Sequence, residues 1–476
     1  MASLDLSIVN VAFPALERAF AHDTRASLSW VLTGYSIIFG SLLVVAGRTA
    51  DRLGSRRVFF VGLGAFCCGS LLCALAPTLA TLIMGRVIQG AGGAAMLPSS
   101  LGLLLGAYPK ERRSQVVAMW GGIGALAVAT GPSLGAALIT AFGWRAAFYV
   151  NLPVGLIAWL VGRRALTSTS GSTSQSPDYL GVVMLSGGLA LLVLAISEGP
   201  SWGWSDGRII GSFVSSLLLL GTFLLRSYRH AEPVLDLRLF RARSFSVANA
   251  TALLYAMGFF ALLLGNILFL TSVWRFSILD AGLAVTPGPL VVAAVSGPAG
   301  KHAHRHGFRS VLVIGFTIFT LGLLWYRWRL GLTPDYLGCW LPGTLTVGLG
   351  IGLTFPVLSA AAVSSLEPTR YSVGSAVNQT ARQIGGALGV AVLVVILGAP
   401  PSAIAALEGF RHLLLFDATV VVLAGVLSSL LDKRRAAESD LTPSELAAEV
   451  AGAIKATPAD AFTPKSASTD RSKRQR

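Results

Sequence analysis

Two charged residues of opposite sign lie inside apolar stretches of this sequence, and together they have the chemistry of a proton carrier. Asp5 is in the first apolar run and Arg86 is in the fourth, at overlapping depths if both runs are helices that cross a bilayer. Loss of water and a nearby guanidinium group shift the proton affinity of a carboxyl group in opposite directions. We therefore expect Asp5 to exchange a proton near neutral pH. The alternatives are a structural ion pair and an Arg86 side chain that snorkels to the membrane surface.

A polar stripe is predicted beside this pair, because Arg86 shares one helix face with Gln89, Gly90 and Gly93. Arg382, deep in the thirteenth apolar run, either balances charge in a cavity, binds an anionic group or snorkels. We expect a substrate cavity with mainly apolar walls. The candidate lining residues are Gln89, Tyr35, Trp120, Phe259, Asn266, Asn378 and Arg382.

A motif near the end of the second apolar run occurs twice. Residues 47–56 and 300–309 keep the order Gly, basic, Ala, Arg, Gly, Arg, and each copy directly follows a long apolar run. Two further pairs of segments match at similar offsets, 85–92 with 343–350 and 131–135 with 385–389. The chain is therefore interpreted as a duplication. The copies differ in charge, with Asp51 against His304 and Arg86 against Thr344.

The segment 47–57 is predicted to be a cytoplasmic gating loop. Asp51 lies among basic residues and Gly54 is a turn residue, so the segment is suited to form ion pairs across a short connection and with neighbouring helix ends. An ordinary positively charged loop is the alternative. The candidate gating residues are Gly47, Asp51, Arg52, Gly54 and Arg56.

Gly124, Gly131 and Gly135 form a stripe of small residues in the fifth apolar run, with Pro132 inside it. Such stripes allow helices to approach closely, and proline permits bending. A role in gating and a role in packing alone are equally consistent with this pattern.

These residues need helices to position them, and the composition indicates an all-α membrane protein. Hydrophobic residues make up 54% of the chain and charged residues 12%, far from the charged fraction of soluble domains. We read fourteen apolar runs as spans, without the alternation of a β-barrel. Lys and Arg concentrate after even-numbered spans, so those loops and both termini are predicted to be cytoplasmic. The predicted location is the cell (plasma) inner membrane.

The repeat divides the chain into two six-helix bundles related by pseudo-two-fold symmetry, with an inserted central helix pair. The first apolar stretch covers only about 24 Å as a helix, less than a bilayer core, so we expect the numbering to start late within span one. The predicted parts are a first bundle at 1–165, a linker at 166–177, the inserted pair at 178–230, a cytoplasmic loop at 231–245, a second bundle at 246–432 and a tail, largely disordered, at 433–476.

Several classes of function find no support in the sequence. There is no phosphate-binding loop, no nucleophile with an adjacent base and no pair of carboxylates, so we predict neither an enzyme nor a cofactor. His302, His304 and His306 lack a fourth ligand for a metal, and no metal site is predicted. The excess positive charge follows membrane topology rather than a nucleic-acid surface. Expected partners are a small-molecule substrate, protons and the lipid bilayer, and we expect a monomer.

The motifs resemble those of the major facilitator superfamily and, more narrowly, its fourteen-helix drug:proton antiporters of the EmrB/QacA type. The resemblance lies in residues 4–14, 47–57, 86–93, 131–135, 144–153 and 375–386. It implies outward export of hydrophobic or amphiphilic compounds, with Asp5 and Arg86 in proton coupling, residues 47–57 in gating, and Gly131, Pro132 and Gly135 in the antiporter motif. Thr49, Ser55 and Ala136 depart from the usual pattern.

Proton-coupled export of small amphiphiles by alternating access is thus the leading prediction. Two other readings stay open. One is a proton-linked transporter that takes up an endogenous metabolite, and the other is a channel or scaffold with a transporter-like body that acts through the tail after Lys433.

Overall fold

The computed structural model describes residues 1–108, 113–166, 178–230, 233–366, 370–398, 400 and 402–431. The predicted tail at 433–476 and all but the first residue of the predicted linker at 166–177 lie outside these residues.

Helices are the regular structure of the described residues, which contain no strand. A 3₁₀ turn at Leu237–Arg241 precedes α10, and a π-helical turn at Tyr336–Trp340 leads into α14. The α-helices are α1 (Ala2–Ala19), α2 (Arg25–Leu53), α3 (Ser55–Ala74), α4 (Leu79–Ala107), α5 (Arg113–Phe142), α6 (Ala146–Tyr149), α7 (Asn151–Ala165), α8 (Tyr179–Trp202), α9 (Gly207–Arg229), α10 (Arg243–Ser272), α11 (Ile278–Val285), α12 (Pro287–His306), α13 (Phe308–Arg329), α14 (Leu341–Val363), α15 (Tyr371–Leu397) and α16 (Ala403–Ser428).

Twelve helical stretches of the described residues are long and apolar enough to cross a membrane. Three of them join neighbouring segments, α6 with α7, α11 with α12, and the π-helical turn with α14. Helices α1 and α5 are not among the twelve. In α1 the 18 residues include Asp5, Glu17 and Arg18, and the described apolar part of α5 is the shorter segment Leu126–Phe142.

The repeat seen in the sequence has a matching local geometry in both copies. Gly54 separates α2 from α3 with φ 92°, and Gly307 separates α12 from α13 with φ 90°. Side chains with a Cβ rarely adopt this left-handed backbone, which explains why both copies keep glycine. Residues 47–53, predicted as part of a loop, are helical, and the connection itself is the single residue Gly54.

Close packing of α2 against α15 joins the two halves. The Thr380 hydroxyl donates to the Gly40 carbonyl oxygen over 2.8 Å, and Arg25 Nη1 donates to the Gly398 carbonyl oxygen over 2.9 Å. A second contact between the halves lies at α5 and α11, where a Cβ on Gly282 would come within 2.7 Å of the Pro132 carbonyl oxygen.

Helices α8 and α9, which were predicted as an inserted pair, form a hairpin that packs on the seam between α2 and α15. Asp178 caps the N-terminus of α8. Its carboxylate accepts hydrogen bonds from the Gly181 backbone nitrogen over 2.8 Å and from Arg226 Nε of α9 over 2.7 Å. Apolar side chains of all four helices form one buried cluster, which contains Ile37, Val45, Val182, Leu185, Leu189, Val193, Phe223, Ala387 and Ala391.

The positive φ angles of Gly54 and Gly307 lead to a stability prediction. We expect Gly54→Ala and Gly307→Ala each to lower the free energy of unfolding by about 1–2 kcal/mol, because a Cβ disfavours the left-handed backbone. The control is Gly64→Ala in α3, where a Cβ would meet no atom within 4 Å and helix propensity favours alanine. Thermal unfolding of the purified protein in detergent measures all three. Equal melting temperatures for Gly54→Ala and Gly64→Ala would contradict the assignment.

Candidate functional site

A hydrogen-bonded network surrounds the carboxylate of Asp5. Arg86 Nη1 donates to Asp5 Oδ2 over 2.5 Å, while Gln89 Nε2 and Asn151 Nδ2 donate to Asp5 Oδ1 over 2.8 and 2.9 Å. Asp5, Arg86 and Gln89 are each 0% exposed. An ionised carboxylate is tolerated at such a site only when a countercharge and further donors satisfy it, and this network supplies both.

Arg86 is held by other groups on its remaining sides. Its Nε donates to the Val31 carbonyl oxygen of α2 over 2.9 Å, and its Nη1 also donates to Gln89 Oε1 over 2.6 Å. The guanidinium carbon lies 4.2 Å from the centroid of the Tyr35 ring, a distance typical of a cation–π contact. Nη2 has no hydrogen-bond partner among the described residues. Arg86 therefore has one nitrogen that makes no hydrogen bond to the described residues, while its guanidinium group lies over an aromatic ring.

Glycines allow the helices of this network to approach one another closely. A Cβ on Gly90 would lie 2.8 Å from the Tyr35 carbonyl oxygen, and a Cβ on Gly69 would lie 2.7 Å from the Gln89 nitrogen. These contacts bring α4 against α2 and α3. As a result, Gln89 Nε2 reaches Ser70 Oγ on α3 at 2.7 Å as well as Asp5 on α1.

The predicted antiporter motif packs directly against the helix that carries Asp5. A Cβ on Gly131 would clash with Ser7, and a Cβ on Gly135 would lie 3.1 Å from Ile8 Cα. The Ser7 hydroxyl also donates to the Val128 carbonyl oxygen over 3.3 Å. The small residues of α5 thus set the position of α1 within one turn of Asp5.

The corresponding place in the second half holds a neutral pair. Thr344, the counterpart of Arg86, lies 2.5 Å from the Tyr326 hydroxyl through its own hydroxyl oxygen. Packing around it follows the repeat, because Gly92 approaches Phe66 and Gly350 approaches Phe319 in the same way. The two halves share a packing pattern, but only the first half has an ion pair at this position.

Arg382 forms a separate cluster in the second half. Its Nη1 donates to Ser359 Oγ over 3.0 Å, and its guanidinium carbon lies 4.5 Å from the centroid of the Phe355 ring. Phe355 is in turn 6.3 Å, centroid to centroid, from Tyr255, whose ring stacks on Phe259. The half-buried Arg382 therefore borders an aromatic group that includes Phe259, one of the predicted lining residues.

The other predicted lining residues are distributed over several places. Tyr35 is fully buried in the wall of the Asp5 network, and Asn378 is buried with its Nδ2 3.3 Å from Asn249 Oδ1. Trp120 is half-buried and donates through Nε1 to Ser100 Oγ over 3.2 Å, and Asn266 is half-buried on α10.

The predicted gating residues lie around the end of α2. Asp51 and Arg52 are exposed there, and Gly47 packs against Pro98 of α4, with a Cβ placed 3.6 Å from Pro98 Cβ. Arg56 Nη2 donates to the Arg163 carbonyl oxygen of α7 over 3.3 Å. Residues 109–112, which follow α4, lie outside the described residues.

Sequence reasoning missed three polar residues of the membrane region. Asn151 and Ser70 complete the Asp5 network, but neither side chain is ionisable, so the search for charges inside apolar runs did not select them. Asp417 on α16 is an acid inside an apolar run and is fully buried. An ionisable side chain inside an apolar run marks a candidate functional residue, and this criterion applies to Asp417 as it does to Asp5.

The sequence predicts no metal site at His302, His304 and His306, and the side chains of His302 and His306 are among those described. Within the described part of the chain, no group of three or more His, Cys, Asp or Glu residues has the geometry to hold a metal ion. The rings of His302 and His306 stack at 4.1 Å, and the side chain of His304 lies outside the described residues.

Comparison with known families decides the class of the protein. A profile of the Major Facilitator Superfamily matches residues 1–390 and, in a second match, residues 250–465. The chain belongs to this superfamily. The resemblance drawn from its motifs is confirmed at that level, and the all-α membrane fold and the role of a non-enzymatic transporter follow for this superfamily member. The second match begins within α10 and overlaps the first over residues 250–390.

Known relatives and solved structures agree with this assignment. The chain is 34% identical over 402 residues to a multidrug resistance protein B homolog of Mycobacterium tuberculosis, covering 83% of this chain and 74% of that protein. It is 32% identical over 403 residues to the tetracenomycin C resistance and export protein of Streptomyces glaucescens, covering 83% and 73%. A crystal structure of an auto-inhibited peptide transporter of the POT family shares the fold, with a TM-score of 0.63 at 15% identity over 94% of this chain and 99% of that chain.

The ion pair leads to a stability prediction for this superfamily member. Asp5→Asn leaves Arg86 charged and without a countercharge, so we expect the free energy of unfolding to fall by about 3–5 kcal/mol. The double variant Asp5→Asn with Arg86→Gln removes both charges, and we expect it to be more stable than Asp5→Asn alone. Thermal unfolding in detergent measures both. A double variant no more stable than the single one would rule out a coupled buried pair.

The motif on α5 leads to a second prediction. Gly131→Ala places a Cβ against Ser7, and we expect a stability loss of about 1–3 kcal/mol from overpacking. We also expect slower transport, because the added methyl group displaces α1, which carries Asp5. Gly124→Ala on the same helix is the matched control, since a Cβ there would lie 4.0 Å from Ser3 Oγ.

Removing the clash provides the second control for this prediction. Ser7→Gly combined with Gly131→Ala should recover most of the stability and transport lost in Gly131→Ala. Efflux of ethidium from cells and thermal unfolding report the two effects. If Gly124→Ala and Gly131→Ala behave alike, the motif does not act through its contact with α1.

Proposed function

We propose that this protein is a proton-coupled antiporter that exports small hydrophobic or amphiphilic compounds, including antibiotics, from the cell. The single observation that carries the proposal is the buried network of Asp5, Arg86, Gln89 and Asn151. Ionisable residues inside a membrane region are costly and mark proton and substrate pathways. A network that satisfies an ionised carboxylate so fully is also one that protonation of that carboxylate must rearrange.

Protonation of Asp5 is the proposed chemical step. A proton on Oδ2 removes the negative charge that faces Arg86 Nη1 at 2.5 Å, so the attraction between the two side chains is lost. Arg86 then keeps its bonds to Val31 and Gln89 and its contact with the Tyr35 ring. Asp5 is fully buried, so a proton reaches it only after the surrounding helices move. This requirement links proton binding to a change of conformation.

Coupling to the rest of the protein runs through α1 and α5 in this proposal. Gly131 and Gly135 hold α1 against α5, and Pro132 of α5 approaches Gly282 in the second half. A shift of α1 on protonation of Asp5 therefore acts on a contact between the halves, that of α5 with α11. Alternating access in this superfamily is a rocking of one bundle against the other, with residues 47–57 proposed as the cytoplasmic gate.

Direction and substrate class are inferred from relatives. One relative is named as a multidrug resistance protein B homolog and another as a tetracenomycin C resistance and export protein. The aromatic group beside Arg382 suits amphiphilic compounds, because aromatic faces bind apolar surface and cations. In this proposal, the aromatic group beside Arg382 and the other candidate lining residues form one substrate cavity in a conformation that opens the substrate path.

We propose a fourteen-helix topology of the EmrB/QacA type. In addition to the twelve candidate spans, two further helices cross the membrane in this proposal. They are α1, which carries Asp5, and α5, which carries the antiporter motif. The spans form two six-helix bundles at 1–165 and 246–432 with the inserted pair α8 and α9 between them. An even number of spans puts both termini on one side of the membrane, and the basic residues after even-numbered spans favour the cytoplasmic side. We propose that the protein lies in the inner membrane as a monomer.

Proton release by inverted membrane vesicles tests the function. Vesicles that contain the wild-type protein and a trapped pH dye should release protons when tetracenomycin C or ethidium is added. We expect Asp5→Asn to abolish this release, because the amide cannot bind the transported proton. Asp23→Asn, which changes an exposed acid in the turn before α2, is the matched control and should release protons as the wild type does.

Two outcomes would overturn the proposal. Proton release by Asp5→Asn equal to that of the wild type would remove Asp5 from coupling. Flux of compound that neither saturates nor depends on a proton gradient would instead indicate a channel.

A further inference from the structure

Asp417 lies deep inside the last membrane helix. It is about 21 Å along the axis from the start of α16 and about 16 Å from its end, so its carboxyl group is near the middle of the span. The side chain is 0% exposed. Helix α16 packs around this level against α10, since a Cβ on Gly258 would lie 3.5 Å from the Asp417 carbonyl oxygen.

Neither carboxyl oxygen of Asp417 has a hydrogen-bond partner among the described residues. No titratable group of the packed helices donates to either oxygen within the described residues, and the Tyr255 hydroxyl of α10 is itself without a hydrogen-bond partner there. On α13, Tyr326 pairs with Thr344. On α15, Arg382 is bonded to Ser359 and Gln379. On α16 itself, Arg411 pairs with Glu408, and His412 is exposed. On α10, Tyr255 lies in the aromatic group with Phe259, Phe316, Phe319 and Phe355.

An ionised carboxylate is far too costly in such surroundings. A charge transferred into an apolar site without a countercharge or donor takes up a proton instead of remaining ionised. The contrast with Asp5 is direct, because Asp5 is equally buried but accepts three hydrogen bonds, one of them from a cation. The two halves therefore hold carboxyl groups in opposite electrostatic environments.

We propose that Asp417 is a second proton-binding site, which carries its proton in this conformation and releases it when α16 separates from α10 and α13. Its surroundings suit such a change, because α16 meets both neighbours at glycines. A Cβ on Gly265 would lie 2.8 Å from Leu413 Cδ2, and a Cβ on Gly425 would lie 3.1 Å from Phe316 Cβ. Small residues at helix contacts let helices approach closely, so at these two positions only one side of each contact carries a large side chain that has to move when α16 separates.

Infrared spectroscopy of the purified full-length protein tests the bound proton without any substrate. A protonated carboxyl group has a C=O stretching band distinct from that of a carboxylate. We expect the wild-type protein to show this band at neutral pH, Asp417→Asn to lose it, and both Asp5→Asn and Asp23→Asn to keep it. Glu198→Gln, which changes another buried acid of the membrane region, is the matched control and should keep the band that Asp417→Asn loses. If Asp417→Asn unfolds, Asp417→Glu should shift the band instead.

Release of the proton is tested in liposomes with ethidium, and this part rests on the proposed function. We expect Asp417→Asn to lower the number of protons moved per ethidium, whereas Asp5→Asn stops proton-driven transport altogether. If the wild-type protein and Asp417→Asn give the same spectrum in the region of the protonated carboxyl band, Asp417 does not carry a proton in this conformation and the proposal is overturned. An unchanged proton-to-ethidium ratio in Asp417→Asn would overturn its release. Failure of the proposed function appears separately, as proton movement that Asp5→Asn leaves intact.

Discussion

The buried ion pair between Asp5 and Arg86 is the interaction on which the rest of the first half depends. Taking two charges out of water costs more than their attraction returns unless further hydrogen bonds satisfy them. Here those bonds come from Val31 of α2, Asn151 of α7 and Gln89 of α4 itself, and Gln89 is in turn bonded to Ser70 of α3. The pair is satisfied only while α1, α2, α3, α4 and α7 are all in place, so a change in its charge acts on five helices together.

The two halves share a fold but differ in the charges that they bury. Equivalent glycines give both halves the same turn, at Gly54 and Gly307, and similar close contacts between neighbouring helices. Charge is distributed differently. The first half has a paired carboxylate, whereas the second half has the neutral pair of Thr344 and Tyr326 and the unpaired Asp417. A common architecture therefore accommodates two kinds of polar site.

Much of this arrangement could be predicted from the sequence, because it follows from composition and spacing. Apolar runs predict helices, and depth along two runs places Asp5 beside Arg86 and Gln89. The partners Asn151 and Ser70 could not be predicted, since the rotation and crossing of α3 and α7 depend on contacts far apart in the chain. Residues 47–53 were wrongly expected to be a loop, because the basic residues there do not stop a helix and Gly54 alone makes the turn. Burial of Tyr35 is likewise a property of packing, which periodicity does not reveal.

Equilibrium exchange of a compound that the wild-type protein exports tests the coupling role of Asp5 most directly. The labelled compound is placed on one side of liposomes and unlabelled compound on the other, first without and then with a pH gradient. The account predicts that Asp5→Asn still exchanges compound across the membrane at equal pH but no longer accumulates it when a gradient is applied. Gradient-driven accumulation by Asp5→Asn at the wild-type level would contradict the account.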